Sequence, residues 1–82
     1  MWGARPHRTY PLARASILGY LSALGWTVKP DLKVPQAITP SGHVVRFKAQ
    51  AVYLDEHSMF LDIREHDGAS FVVAVEQRIA GL

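Results

Sequence analysis

Residues 42 to 54, GHVVRFKAQAVYL, alternate almost without a break, and this pattern constrains the fold more than any other stretch of the chain. Period-two alternation over this length predicts a β-strand. It sets Val45, Phe47, Ala49, Ala51 and Tyr53 on one side and Arg46, Lys48 and Gln50 on the other. The first group reads as core. The second poses the functional question: the two cations are either a solvated strand face or a surface that grips an anion such as DNA.

The segments around the strand supply the rest of the domain. Thr9 is a candidate helix N-cap, with Pro11 tolerated in the first turn because its missing N–H has no helical partner there. The helix is expected to run to about Leu24, with Ala13, Ile17, Tyr20, Leu21 and Leu24 as its apolar stripe and Gly25 as its left-handed terminator. Trp26 to Lys29 reads as a short strand. Leu32 to Thr39 reads as an edge strand or ordered loop, since Pro35 cannot donate to a ladder. The turn residues Thr39-Pro40-Ser41-Gly42 fold it back toward the long strand, and Asp55-Glu56-His57 makes the next connection. Ser58 to Glu65 is expected as a strand with Met59, Leu61 and Ile63 inward. Asp67-Gly68 reads as a hairpin, and Ser70 to Arg78 as a last strand with Phe71, Val73 and Val75 inward.

These elements make an α+β domain of two layers: one N-terminal helix packed on an antiparallel sheet of three to four strands, similar to a strand-helix-strand-strand module. Residues 1–8 read as a flexible basic arm and 9–82 as a single domain. At 82 residues, 49% of them hydrophobic, the chain has enough apolar surface for a core but buries a smaller share of its surface than a larger chain does, which favours self-association into a homodimer. The sheet face opposite the helix, carrying Val44, Val52, Leu54, Phe60 and Val72 among its charges, is the expected dimer or partner contact, through Val52, Leu54, Phe60 and Val72.

Charge is distributed unevenly. Residues 1–50 hold seven Lys and Arg against Asp31 alone, a balance of +6, while residues 51–82 hold Arg64 and Arg78 against six carboxylates, a balance of −4. Such asymmetry suggests an anionic partner for the basic half, although the halves also neutralise each other if they fold together. The chain has no cysteine, which excludes disulfides, thiolate chemistry and sulfur-ligated zinc. Its longest charge-free run, Ala15 to Val28, is shorter than the roughly 20 residues that cross a bilayer. A cytoplasmic protein with no membrane contact is expected.

Catalytic signatures are missing. Asp55-Glu56-His57 and Glu65-His66-Asp67 hold ligand types for a metal, but they occupy opposite ends of the expected 58–65 strand and do not converge. Asp31-Leu32-Lys33 matches half of a nuclease arrangement without its second acid. No serine lies in a nucleophile elbow, and the glycines are too scattered to cradle phosphate. The expectation is a protein that is not an enzyme, with no catalytic residue, no metal and no cofactor.

The run LGWTVKPDLKVPQAITPSGHVVRFKAQAVYL with its preceding helix resembles a group of short uncharacterised proteins encoded on conjugative plasmids and other mobile elements of Gram-negative bacteria. The likeness rests on Gly25-Trp26, on Leu32-Lys33-Val34-Pro35 with Ala37, on Pro40-Ser41-Gly42, and on Phe47-Lys48-Ala49-Gln50-Ala51-Val52-Tyr53; it covers roughly residues 15 to 65. It implies no catalytic activity. By association with plasmid maintenance or transfer it adds weight to contact with DNA.

The sequence thus favours a small DNA-binding homodimer that contacts the phosphate backbone through Arg5, Arg8, Arg14, Lys33, Arg46, Lys48 and Gln50. The alternative is an interaction module whose apolar outer sheet face docks on a protein partner from the same operon.

Overall fold

The computed structural model describes residues 9–82. The arm expected over residues 1–8, with Arg5 and Arg8, lies outside them.

The described residues fold as an α+β unit of two α-helices and a five-stranded antiparallel sheet. Helix α1, Tyr10–Ala23, begins where Thr9 Oγ1 accepts the Leu12 amide at 3.3 Å, with Pro11 in the first turn. It ends in a Schellman motif: Gly25, at φ 95°, donates to the Ser22 carbonyl and Trp26 donates to that of Leu21. Its buried stripe is Ala13, Ile17, Leu18 and Leu21. Tyr20 and Leu24, expected on that stripe, are exposed, and Leu18 takes their place.

The sheet is a meander in the order β1-β2-β3-β4-β5: Thr27–Lys29, Gln36–Ile38, Val44–Lys48, Ala51–Leu54 and His57–Ser58. β2 lies inside the sheet rather than at its edge. Pro35 stops one residue short of it, and its carbonyl accepts the Phe47 amide at 2.9 Å, so the missing proline donor interrupts no ladder. The long strand expected over 43–54 is two strands joined by Ala49-Gln50, with Lys48 opposite Ala51 and Phe47 opposite Val52. That fold-back reverses the expected phase of residues 51–54. Val52 and Leu54 point into the core beside Phe47 and Val45, while Tyr53 joins Arg46 and Lys48 outside.

β5 covers only two residues, so the expected 58–65 strand gives way to an irregular stretch and a single 3-10 turn at Ile63–Glu65. The largest correction follows. Residues expected as a final strand form helix α2, Gly68–Ala80. Asp67-Gly68 starts this helix instead of turning a hairpin: the Asp67 side chain accepts the Ser70 amide at 2.8 Å as an N-cap. Phe71 and Val75, four apart, are fully buried, and Val73, which a strand would bury with them, is 52% exposed. The β-branched run is helical because a four-residue period, not a two-residue one, reaches the core.

Both helices cover the same face of the sheet. The Phe71 ring stacks on Phe47 with centroids 5.5 Å apart, and Ala37, Val45, Phe47, Val52 and Leu54 meet Ile17, Leu21, Met59 and Val75 in one cluster. Gly68 is needed for the helices to meet: a Cβ there would fall 2.1 Å from Cγ of Tyr20. Arg78 Nη2 ties α2 to the chain after β5 by donating to the Met59 carbonyl at 2.6 Å.

Candidate functional site

With both helices on one side, the other face of the sheet is left open among the described residues. Direct pairing sets Lys29, Gln36, Arg46, Tyr53 and Ser58 in one row across all five strands. Lys48 and Ala51 lie on one side of that row, and Thr27, Ile38 and Val44 on the other. Directly opposed residues share a face, so three cations and one tyrosine project together. Lys48 Nζ lies 4.6 Å from the centre of the Tyr53 ring, within cation–π range.

A cleft of about 400 Å³ opens on this face, lined by Val34, Arg46, Lys48, Tyr53 and Glu56. Val34 comes from the connection between β1 and β2, and Glu56 from the turn after β4. That turn is Asp55-Glu56, and both residues have positive φ, at 48° and 72°, as a type I′ hairpin requires. Aspartate tolerates this conformation; glutamate adopts it at a cost. The turn is held by Asp55, whose carboxylate receives the Val44 amide at 2.9 Å and the Nδ1–H of His43. These two bonds, the histidine's first, hold the Asp55 carboxyl below its ordinary range. Among the described residues, the side chains of Arg46 and Glu56 make no hydrogen bond or ion pair, although they share the cleft. Unneutralised charge in a half-enclosed site is available to a ligand.

The expected site residues fall in different places. Arg46 and Lys48 are together on the open face. Gln50 is in the connection between β3 and β4, so it does not continue their row. Lys33 is exposed beside Val34 in the connection that borders the cleft. Arg14 is on α1, in the layer against the opposite face of the sheet. Of the expected partner contacts, Val52 and Leu54 are buried and cannot meet another molecule; Val72 is half-buried, and Phe60 is 89% exposed at a φ of 52°. Lys29, Tyr53 and Glu56 were missed as site residues. The Ala49-Gln50 turn would have revealed Tyr53 as Arg46's neighbour, but neither of its residues has positive φ and the pair carries no turn chemistry.

Other constellations lead nowhere chemically. His43 is bonded to Asp55, but the Ser41 hydroxyl is paired with Thr39 Oγ1 at 3.0 Å, so the group lacks the nucleophile–base contact of a serine hydrolase. Among the described residues no three His, Asp or Glu side chains are placed to hold a metal ion. A second groove, of about 460 Å³, is lined by Ala15, Leu18, Gly19, Ser22, Val28 and Pro30, none of them titratable. No described helix is long and apolar enough to cross a membrane. No protein-family model, curated protein or solved structure matches the chain.

Proposed function

We propose that the protein is a non-enzymatic DNA-binding domain that grips phosphate through the uncovered face of its sheet. The observation that carries this reading is the neighbouring pair Arg46 and Lys48, with Lys29 at the far end of the Arg46 row, on a face that neither described helix covers. Arg14 is set aside as a member of the same surface because it belongs to the other layer. Lys33 extends the surface along the rim of the cleft. A role beside plasmid maintenance or transfer rests on the sequence resemblance alone.

The test is fluorescence anisotropy of a labelled nucleic acid titrated at several salt concentrations. Micromolar binding should fall steeply with salt, and changing Arg46 and Lys48 together to alanine should weaken it at least tenfold and flatten the salt slope by about two phosphate contacts. Unchanged affinity in that double variant would remove this face from consideration.

A second reading has one specific observation behind it. Phe60 is almost wholly exposed in a left-handed conformation that bulky residues avoid, while its neighbours are fixed: Ser58 Oγ accepts the Phe60 amide at 3.3 Å and Arg78 holds the Met59 carbonyl. An aromatic presented in this way suits a contact with a second copy of the chain or a protein partner. Light scattering at high micromolar concentration separates the readings: a dimer that Phe60→Ser reduces to a monomer supports the contact, and a monomeric wild type opposes self-association.

A further inference from the structure

We infer that the cleft on the open sheet face is a base pocket for single-stranded nucleic acid, with a preference for guanine. This inference rests on the nucleic-acid reading above and names its ligand.

The argument starts from the mixture of groups in the cleft. Arg46 and Lys48 suit a phosphate, but Glu56 lines the same space, without an ion pair among the described residues. A carboxylate beside phosphate is repelled, so a ligand that offers only phosphate gains less here than two cations promise. The unfavourable conformation of Glu56 sharpens the point. A type I′ turn is best served by glycine or asparagine at this position, and neither would place a carboxylate at the cleft.

A ligand carrying both an anion and adjacent N–H donors reconciles the two charges. Among the nucleobases, the Watson–Crick edge of guanine presents two neighbouring donors, its ring N–H and its amino group, which a carboxylate can accept together. Cytosine and adenine present one amino donor on that edge, and thymine and uracil one imino donor. Tyr53 supplies the stacking surface. The flexible Lys48 ammonium over its ring is free to move to a phosphate and uncover the ring for a base. The cleft's volume of about 400 Å³ lies in the range of small-ligand sites, roughly 300–1,000 Å³. A duplex keeps its bases stacked inside and would leave Tyr53 and Glu56 without partners, whereas a single strand can splay one base into the cleft.

The test compares labelled DNAs of about 12 nucleotides by anisotropy: thymidine alone, thymidine with central guanines, the same strand with hypoxanthine in place of guanine, and a duplex. The guanine strand should bind about tenfold more tightly than the thymidine strand or the duplex, and hypoxanthine, which lacks the amino donor, should lose most of that gain. Glu56→Gln should abolish the guanine preference while leaving the thymidine strand bound at least as tightly. Tyr53→Ala should weaken both single strands about tenfold, the usual size of one base-aromatic contact. Thermal melts of both variants check that they fold. A duplex bound as tightly as the guanine strand would overturn the inference and leave the phosphate-gripping reading in place; no binding of any DNA at low salt would overturn both. Displacement of the strand by an equal concentration of guanosine monophosphate would assign the pocket to a free nucleotide instead.

Discussion

The covered face of the sheet carries Val45, Phe47, Val52 and Leu54, all buried, whereas the face left open by the described residues, one residue out of phase on the same strands, carries Lys29, Arg46, Lys48 and Tyr53. Along β3 the two sets alternate residue by residue. The difference teaches where stability and recognition reside in so small a domain. Apolar burial on one face supplies the free energy of folding, which leaves the charges on the other unspent on internal pairs.

Substitution within a single strand should therefore separate the two. Phe47→Ala removes a fully buried ring stacked on Phe71 and is expected to destabilise the fold by about 3–5 kcal/mol in urea denaturation, a large part of what a small domain possesses. Its neighbour Arg46→Ala should change stability by less than about 0.5 kcal/mol. If the two variants unfolded at similar urea concentrations, the division between faces would be wrong.

The helical layer offers a second break. Alanine normally stabilises a helix relative to glycine by up to about 1 kcal/mol. Gly68→Ala should do the opposite, by about 1–3 kcal/mol, because the new Cβ would meet Cγ of Tyr20 at 2.1 Å and its Cβ at 2.5 Å, atoms that no rotation of the ring tip can withdraw. Adding Tyr20→Ala should recover part of the loss, and the non-additivity in a double-mutant cycle measures the contact. A Gly68→Ala protein more stable than wild type would show that α1 and α2 do not approach this closely.

The same glycine shows how much of the molecule was legible in its sequence. Asp67-Gly68 has the composition of a hairpin and of a helix start alike; here Asp67 caps a helix, and the need for glycine comes from Tyr20 across the gap, which is a tertiary fact. The run Phe71 to Val75 contains three valines and both periods, so local preference pointed to a strand and packing on Phe47 made it a helix. Where a capping or turn residue had one meaning, the reading held: Thr9 starts α1, Gly25 ends it, and Gly42 turns the chain between β2 and β3 at φ 94°. At the candidate site, Arg46 and Lys48 were readable from alternation within one strand. Tyr53 and Glu56 were not, because Ala49-Gln50 turns without turn residues and Asp55-Glu56 adopts a conformation better suited to glycine.

That turn provides a smaller and more pointed test. Glu56→Gly should relieve the left-handed conformation at φ 72° and stabilise the protein by about 0.5–1 kcal/mol, after allowance for the greater freedom of glycine in the unfolded chain. On the covered face any such loss of a side chain costs stability. A gain here, combined with loss of guanine discrimination, would show that the open face retains Glu56 at the expense of the fold. A destabilised Glu56→Gly variant would mean that the side chain has a structural role in the turn.

The smallest expected effect concerns how the open face keeps its shape without apolar packing. The Asp55 carboxylate joins the start of β3 to the end of β4 through His43 and the Val44 amide, and both bonds favour its ionised form. Its carboxyl therefore titrates lower in the folded protein than an ordinary aspartate, so the unfolded chain takes up its proton first as pH falls. The stability it contributes is present above the unfolded value and is lost as pH drops through the folded one. Because the side chain is 36% exposed, that contribution should be under about 1 kcal/mol. Urea midpoints of wild type and Asp55→Asn should differ at about pH 5 and above and converge as pH falls below about 4. The same substitution should loosen the Asp55-Glu56 turn and weaken binding in the cleft, whereas a core substitution that costs as much stability should leave binding of the remaining folded protein unchanged. A difference in midpoint that persists undiminished at the lowest pH would mean that the Asp55 side chain holds the turn by something other than its charge.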